Sequence, residues 1–172
     1  GVGCAIAASL AGAGIAAISL FDVNTAAAEG LGERIRAAAR GVSFDFSTLH
    51  DPAYLAQVCP HVSTAFLSGA GLADAAVSEL IARVLDLGPD TVCVTRGDKG
   101  AVWANGQTRI EQPIVPATVV DTMGAGDAFI AGYLVARLRG DTPEQVLQHA
   151  AFCAAKACGW EGAWGYPLAD IP

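Results

Sequence analysis

The sequence predicts an α/β fold: an open, mostly parallel sheet flanked by helices. Three observations predict it. Short branched apolar runs alternate with helix-like runs along most of the chain, the order that builds strand–helix–strand units. The run Thr91 to Thr95 is apolar through its interior, as strands buried on both faces are. A branched run, Pro113 to Val120, reads as a strand that leads through a glycine-rich turn into a helix-like run, Ala128 to Arg139. The 172 residues, 53% hydrophobic with mean hydropathy +0.43, suffice for one domain with a real core.

The opening residues Gly1 to Phe21 carry no charge. Their length meets the rule for a membrane span. Gly1, Gly3, Ser9, Gly12 and Gly14 interrupt the run, however, and no basic residue flanks its start. A helix from Gly3 to Ala13, a glycine turn and a strand from Ala16 to Phe21 account for the composition better. Asp22-Val23-Asn24-Thr25 then begins a helix, Ala26 to Arg40, with Asn24 or Thr25 as N-cap.

Beyond Gly41 the elements follow in quick order. Val42 to Phe46 reads as a short strand, and Asp51-Pro52 opens a short helix through Gln57. Val62 to Leu67 is a buried strand ending at Ser68-Gly69. Ala73 to Leu87 is an amphipathic helix with Ala76, Val77, Leu80, Ile81, Val84 and Leu85 on its apolar face. The strand Thr91 to Thr95 ends in Thr95-Arg96-Gly97-Asp98-Lys99-Gly100, a turn into Ala101 to Ala104. Asn105-Gly106 makes a second turn into Gln107 to Gln112. In the run after Asp127, Phe129, Ile130, Tyr133, Leu134 and Leu138 share one helical face. Gly140, Thr142 and Pro143 supply a C′ glycine, an N-cap and a proline at N1. The last helix, Pro143 to Cys158, is rich in alanine at 150, 151, 154, 155 and 157. Close packing explains this stripe, and so does a flat surface for an adenine ring.

Charge and cysteine usage exclude several classes. The net charge is −7 and the ten Lys and Arg are scattered, which argues against a nucleic-acid surface. Cys4, Cys59, Cys93, Cys153 and Cys158 form no Cys-x-x-Cys pair and lie mostly in apolar runs. They read as thiols of a reducing, cytoplasmic compartment. His50, His61 and His149 are isolated, so no metal cluster is expected.

The chemistry concentrates in Asp121-Thr122-Met123-Gly124-Ala125-Gly126-Asp127. The first N–H groups of a helix lack internal partners and sit at the positive end of its dipole. Gly124 and Gly126 carry no Cβ, so a phosphate can approach the backbone. A carboxylate beside a purely phosphate-binding site would repel its ligand. Asp127 makes sense as the group that takes a proton from an attacking hydroxyl, which is phosphoryl transfer. A tight turn with Asp127 as a capping residue is the plainer reading of Gly-x-Gly-Asp alone.

The full string, continued by Ala128-Phe129-Ile130-Ala131-Gly132, resembles the second signature of the ribokinase-like (PfkB) carbohydrate kinases. That resemblance covers about residues 41–172 and implies the C-terminal half of such a kinase, with ATP and Mg²⁺ as cofactors and a sugar as substrate. It implies Asp127 as base and the amides of Gly124, Ala125, Gly126 and Asp127 as the phosphate cradle. Asp121 and Thr122 would shape the turn. Thr95, Gly97 and Gly100 would line the nucleotide site, with Lys99 as a phosphate charge. Val42 to Ser47 and Gly162-Ala163-Trp164-Gly165-Tyr166 look like the fructoselysine-type kinases of the family. An Asn-x-x-Glu motif, which organises Mg²⁺ in many members, is replaced by Ser68-Gly69-Ala70-Gly71, so the metal ligands stay unassigned.

Residues 1–40 invite a different reading. Gly1-Val2-Gly3 can be the tail of a Gly-x-Gly-x-x-Gly turn, with Asp22 about twenty positions on to bond a ribose. This stretch resembles the cofactor domain of shikimate dehydrogenases, a Rossmann-like helix–strand–helix piece, and an aspartate there implies NAD. An ordinary packing layer is the alternative for this stretch, and a fused or misassembled gene fragment or a diverged kinase front would account for its place ahead of the kinase part. For the whole chain a dehydrogenase fragment and a non-catalytic nucleotide-binding fragment stand beside the kinase. With the sugar half of a kinase missing, the chain alone is expected to phosphorylate poorly, and exposed sheet edges favour a homodimer.

Overall fold

The computed structural model describes residues 18–20 and 41–162. The strands are β1 (Ile18–Leu20), β2 (Val42–Asp45), β3 (Thr64–Ser68), β4 (Thr91–Thr95), β5 (Ala101–Asn105) and β6 (Arg109–Gln112). They lie in one sheet in the order β1-β2-β3-β4-β5-β6. β1 to β4 pair in parallel, with Ile18 opposite Val42, Ser43 opposite Thr64 and Ser68 opposite Thr95. The helices are α1 (Pro52–Val58), α2 (Asp74–Asp86), α3 (Ala125–Arg139) and α4 (Pro143–Ala157). Two compact units divide the chain. One holds residues 1–96 and 102–109, the other 97–101 and 110–172.

The first unit is a sheet core. Side chains alternate across a strand, so Val42 and Phe44, Ala65 and Leu67, and Val92 and Val94 share one face. They form a single buried cluster with Leu55 and Val58 of α1 and Val77, Leu80, Ile81 and Val84 of α2. The opposite positions, Thr64, Phe66, Thr91 and Cys93, are buried as well. Two faces buried at once is what makes parallel strands read as continuous apolar runs. On that second face the Thr91 hydroxyl donates to Thr64 Oγ1 at 3.0 Å, which satisfies two groups that would otherwise be orphaned. Asp51 caps α1 by accepting from the Tyr54 N–H at 2.9 Å.

The second unit is built on α3 and α4. Phe129, Ile130, Tyr133 and Ala136 of α3 are buried, as are Val146, Leu147, Ala150 and Ala151 of α4. Gly132 is the contact point. A Cβ there would lie 2.8 Å from Cys153 Sγ and 3.1 Å from Ala150 Cα. The alanine stripe of α4 therefore serves close packing at Ala150, while Ala154 and Ala155 remain half-exposed. Gly140, at φ 84°, ends α3 in the left-handed conformation. Thr142 and Gln145 form a reciprocal capping box that starts α4.

Three expectations change. Pro113 to Val120 is not a strand. Pro113 and Pro116 lack the N–H a ladder needs, and the segment is largely exposed. It is tied instead to the end of α4, because the Val120 and Asp121 N–H groups both donate to the Cys158 carbonyl, at 2.8 and 3.2 Å. α3 begins at Ala125, three residues ahead of the expected start. Leu138 faces solvent at 57% exposure, and Ala136 takes the buried place. Gly1, Gly3 and Asp22 lie outside the described residues, as do Cys4 and Ala163 to Tyr166.

Candidate active site

The glycine turn is organised by Asp121. Its Oδ1 accepts from the Met123 N–H at 3.0 Å and its Oδ2 from the Gly162 N–H at 3.1 Å. These two N–H groups stabilise the charged form and hold the Asp121 carboxyl below its ordinary 3.8. Gly124 then turns through φ 77°, ψ −1° and makes the N-cap of α3, a conformation glycine adopts without cost. No side chain caps this helix start. The Ala125 N–H reaches Thr122 O at 3.2 Å and the Ala128 N–H reaches Gly124 O at 2.9 Å. Between them, the Gly126 and Asp127 N–H groups have no acceptor among the described residues.

Those two orphan donors sit at the positive end of a 15-residue helix, where an anion is favoured. Gly126 is exposed, and a Cβ on it would meet nothing within 4 Å. Asp127 is exposed beside it, in the first turn of α3. An accessible carboxylate next to unpaired, glycine-lined amides fits an acid–base group working at the edge of an anion site.

The second group of predicted residues divides by what each is doing. Thr95 ends β4, where its hydroxyl donates to Leu67 O at 3.4 Å and its carbonyl accepts from the Gly69 N–H at 2.7 Å. Gly97 has φ 62° and open space around it. Lys99 is exposed. Gly100 differs from both: at φ 78°, its Cβ would lie 2.0 Å from Gln112 O. Its missing side chain lets two backbone segments touch. Thr122 is exposed, and its carbonyl closes the turn before α3.

Sequence reasoning missed Arg96 and Asp74. Arg96 is buried, and its Nη2 donates to Asp74 Oδ1. Its position between Thr95 and Gly97 was visible, but its partner is 22 residues away and no spacing rule links them. Among the described residues no three His, Cys, Asp or Glu side chains converge as a metal site.

Fold and site together define a class: an open α/β sheet protein carrying an exposed, glycine-lined helix start. The profile of the pfkB family carbohydrate kinases matches residues 34–167. The chain belongs to the pfkB family of carbohydrate kinases. It is 46% identical over 125 residues to the fructosamine kinase FrlD of Bacillus subtilis, covering 73% of this chain and 44% of that protein. It is 35% identical over 151 residues to the fructoselysine 6-kinase of Escherichia coli, covering 86% of this chain and 58% of the relative. Thus the chain spans about half the length of these curated relatives.

Among solved structures, an Arabidopsis thaliana ribokinase complexed with ribose and ATP superimposes with TM-score 0.79 at 24% identity, over 93% of this chain and 53% of that one. This likeness establishes the ribokinase-like fold. Aminoimidazole riboside kinase from Salmonella enterica matches with TM-score 0.67 at 28% identity, over 86% of this chain and 57% of that one.

The dehydrogenase-like reading of the opening residues is not borne out. Coverage of 86% to 93% exceeds the three quarters of the chain that residues 41–172 represent, so likeness to kinases runs into the front. β1 pairs in parallel with β2, in the same sheet as the strands of the family match. Two glycines and an acid about twenty residues on are common enough in strand–helix packing to mimic a cofactor fingerprint.

Proposed function

We propose that this chain is the nucleotide-binding and phosphoryl-transfer part of a carbohydrate kinase that passes the γ-phosphoryl group of ATP to a hydroxyl of a sugar derivative. A fructosamine such as fructoselysine is the substrate class that the two relatives' names support. The observation that carries the reading is the start of α3, with two N–H groups unpaired among the described residues beside an accessible Asp127. Residues 41–172 form the C-terminal part of the kinase on this reading.

The chemistry follows from the geometry. The Gly126 and Asp127 amides, with Gly124 and Ala125 shaping the mouth, hold the γ-phosphoryl oxygens as their charge redistributes. Asp127 accepts the proton of the substrate hydroxyl. The hydroxyl oxygen bonds to phosphorus, the bond from phosphorus to the bridging oxygen breaks, and ADP leaves with that electron pair. Thr95 and Gly97 border the nucleotide, and Lys99 supplies a cation to its phosphates. Mg²⁺ would offset phosphate charge when bound. Phosphate oxygens and water would supply most of its ligands. Free buried Cys59 and Cys93 support a reducing, cytoplasmic setting. Among the described residues no helix is long and apolar enough to cross a membrane.

Asp127→Asn tests the assignment. However low the parent's fructosamine-dependent ADP release, it should fall by a further factor of about 10²–10⁴, the range for a positioned base. Turnover equal to the parent's would remove Asp127 from the role of base.

A further inference from the structure

Arg96 is the charged side chain that the fold buries among the described residues, at 8% exposure. Strand alternation puts it on the face of Val92 and Val94, the face that α2 covers. An aliphatic residue would stabilise that place at less desolvation cost. The guanidinium instead reaches Asp74, in the first turn of α2. Its Nε is excluded from solvent and has no partner among the described residues, an unusual state for a buried donor. Asp74 is 81% exposed, so the pair joins a fixed cation to a carboxylate that can be altered without opening the core.

The surrounding bonds show what the pair holds. Gly69 packs so closely that a Cβ on it would lie 2.6 Å from Val94 Cγ1. Its N–H donates to Thr95 O, and Thr95 Oγ1 donates to Leu67 O. The loop from Gly69 to Ala73 therefore lies against the end of β4 from its first residue, and the Arg96–Asp74 pair closes the far end of the same loop. We infer that Arg96, clamped by Asp74, is a positioning residue that sets the orientation of Thr95 toward the nucleotide. This rests on the reading of Thr95 as a nucleotide contact.

The experiment is a fluorescence titration of the full chain with an N-methylanthraniloyl ATP analogue, run beside thermal denaturation. Asp74→Ala should weaken binding about fivefold, the low end of measured coupling between sites, beside the fall in melting temperature that taking the partner from a buried guanidinium brings. Asp74→Glu, which restores the carboxylate, should recover most of the affinity. Arg96→Lys, which keeps charge but loses the planar fork, should weaken binding to a similar degree. A lower melting temperature with unchanged affinity in Asp74→Ala and Arg96→Lys would overturn the inference and leave the nucleotide reading intact. A parent chain that binds no analogue would overturn both.

Discussion

At the scale of single residues, glycines with similar backbone angles are held to different jobs. Gly100 and Gly97 both take positive φ, 78° and 62°. Only Gly100 has a backbone oxygen where its Cβ would stand. Gly100→Ala should therefore cost about 3 kcal/mol or more, strain plus overlap, whereas Gly97→Ala should cost about 1 kcal/mol. Urea denaturation of the two variants checks the ranking. The sequence marked both glycines as nucleotide residues and could not separate them, because the contact with Gln112 forms only when the chain returns. Asp121 makes a pH prediction. Its folded carboxyl lies below the ordinary 3.8, so its stabilising effect is present above that value and is lost as pH falls through the lower folded one. Asp121→Asn should be less stable than the parent at pH 6, and the gap should narrow at pH 3. Equal gaps at both pH values would count against the Met123 and Gly162 bonds as the cause.

At the scale of elements, the start of α3 separates stability from binding. Alanine is the better helix former and relieves unfolded-chain entropy, by about 0.5–1 kcal/mol relative to glycine. Gly126 lies inside the helix with open space where a Cβ would go. Gly126→Ala should therefore raise the melting temperature while lowering ATP affinity about tenfold, because the new methyl stands where phosphate approaches the amides. A glycine kept for packing alone would give a more stable protein with unchanged affinity. The element pattern itself was largely legible. Thr91–Thr95 emerged with its expected bounds, and the capping signals at Asp51, Gly140, Thr142 and Pro143 did what their local chemistry dictates. The failure at Pro113 to Val120 has a local cause too. Branched residues suggested a strand, but two prolines removed donors that only a paired neighbour would have required.

At the scale of the whole molecule, alternation of strands and helices was enough to predict an open, mostly parallel sheet, since each run is set by burial on one or two faces. The front was misread because a short glycine pattern says what a turn can do, not which sheet it joins. Arg96 and Asp74 were invisible for a related reason: the fold alone brings them together. The account as a whole depends on the mouth of α3 being an anion site with Asp127 as its base, and the ATP affinity of Asp127→Asn tests that most directly. A carboxylate beside bound phosphate repels it, so calorimetric titration should find the asparagine variant binding ATP as tightly as the parent or more tightly. Binding weakened tenfold or more, with the fold intact, would contradict it, because the carboxylate would then be helping to hold the nucleotide instead of serving as the base.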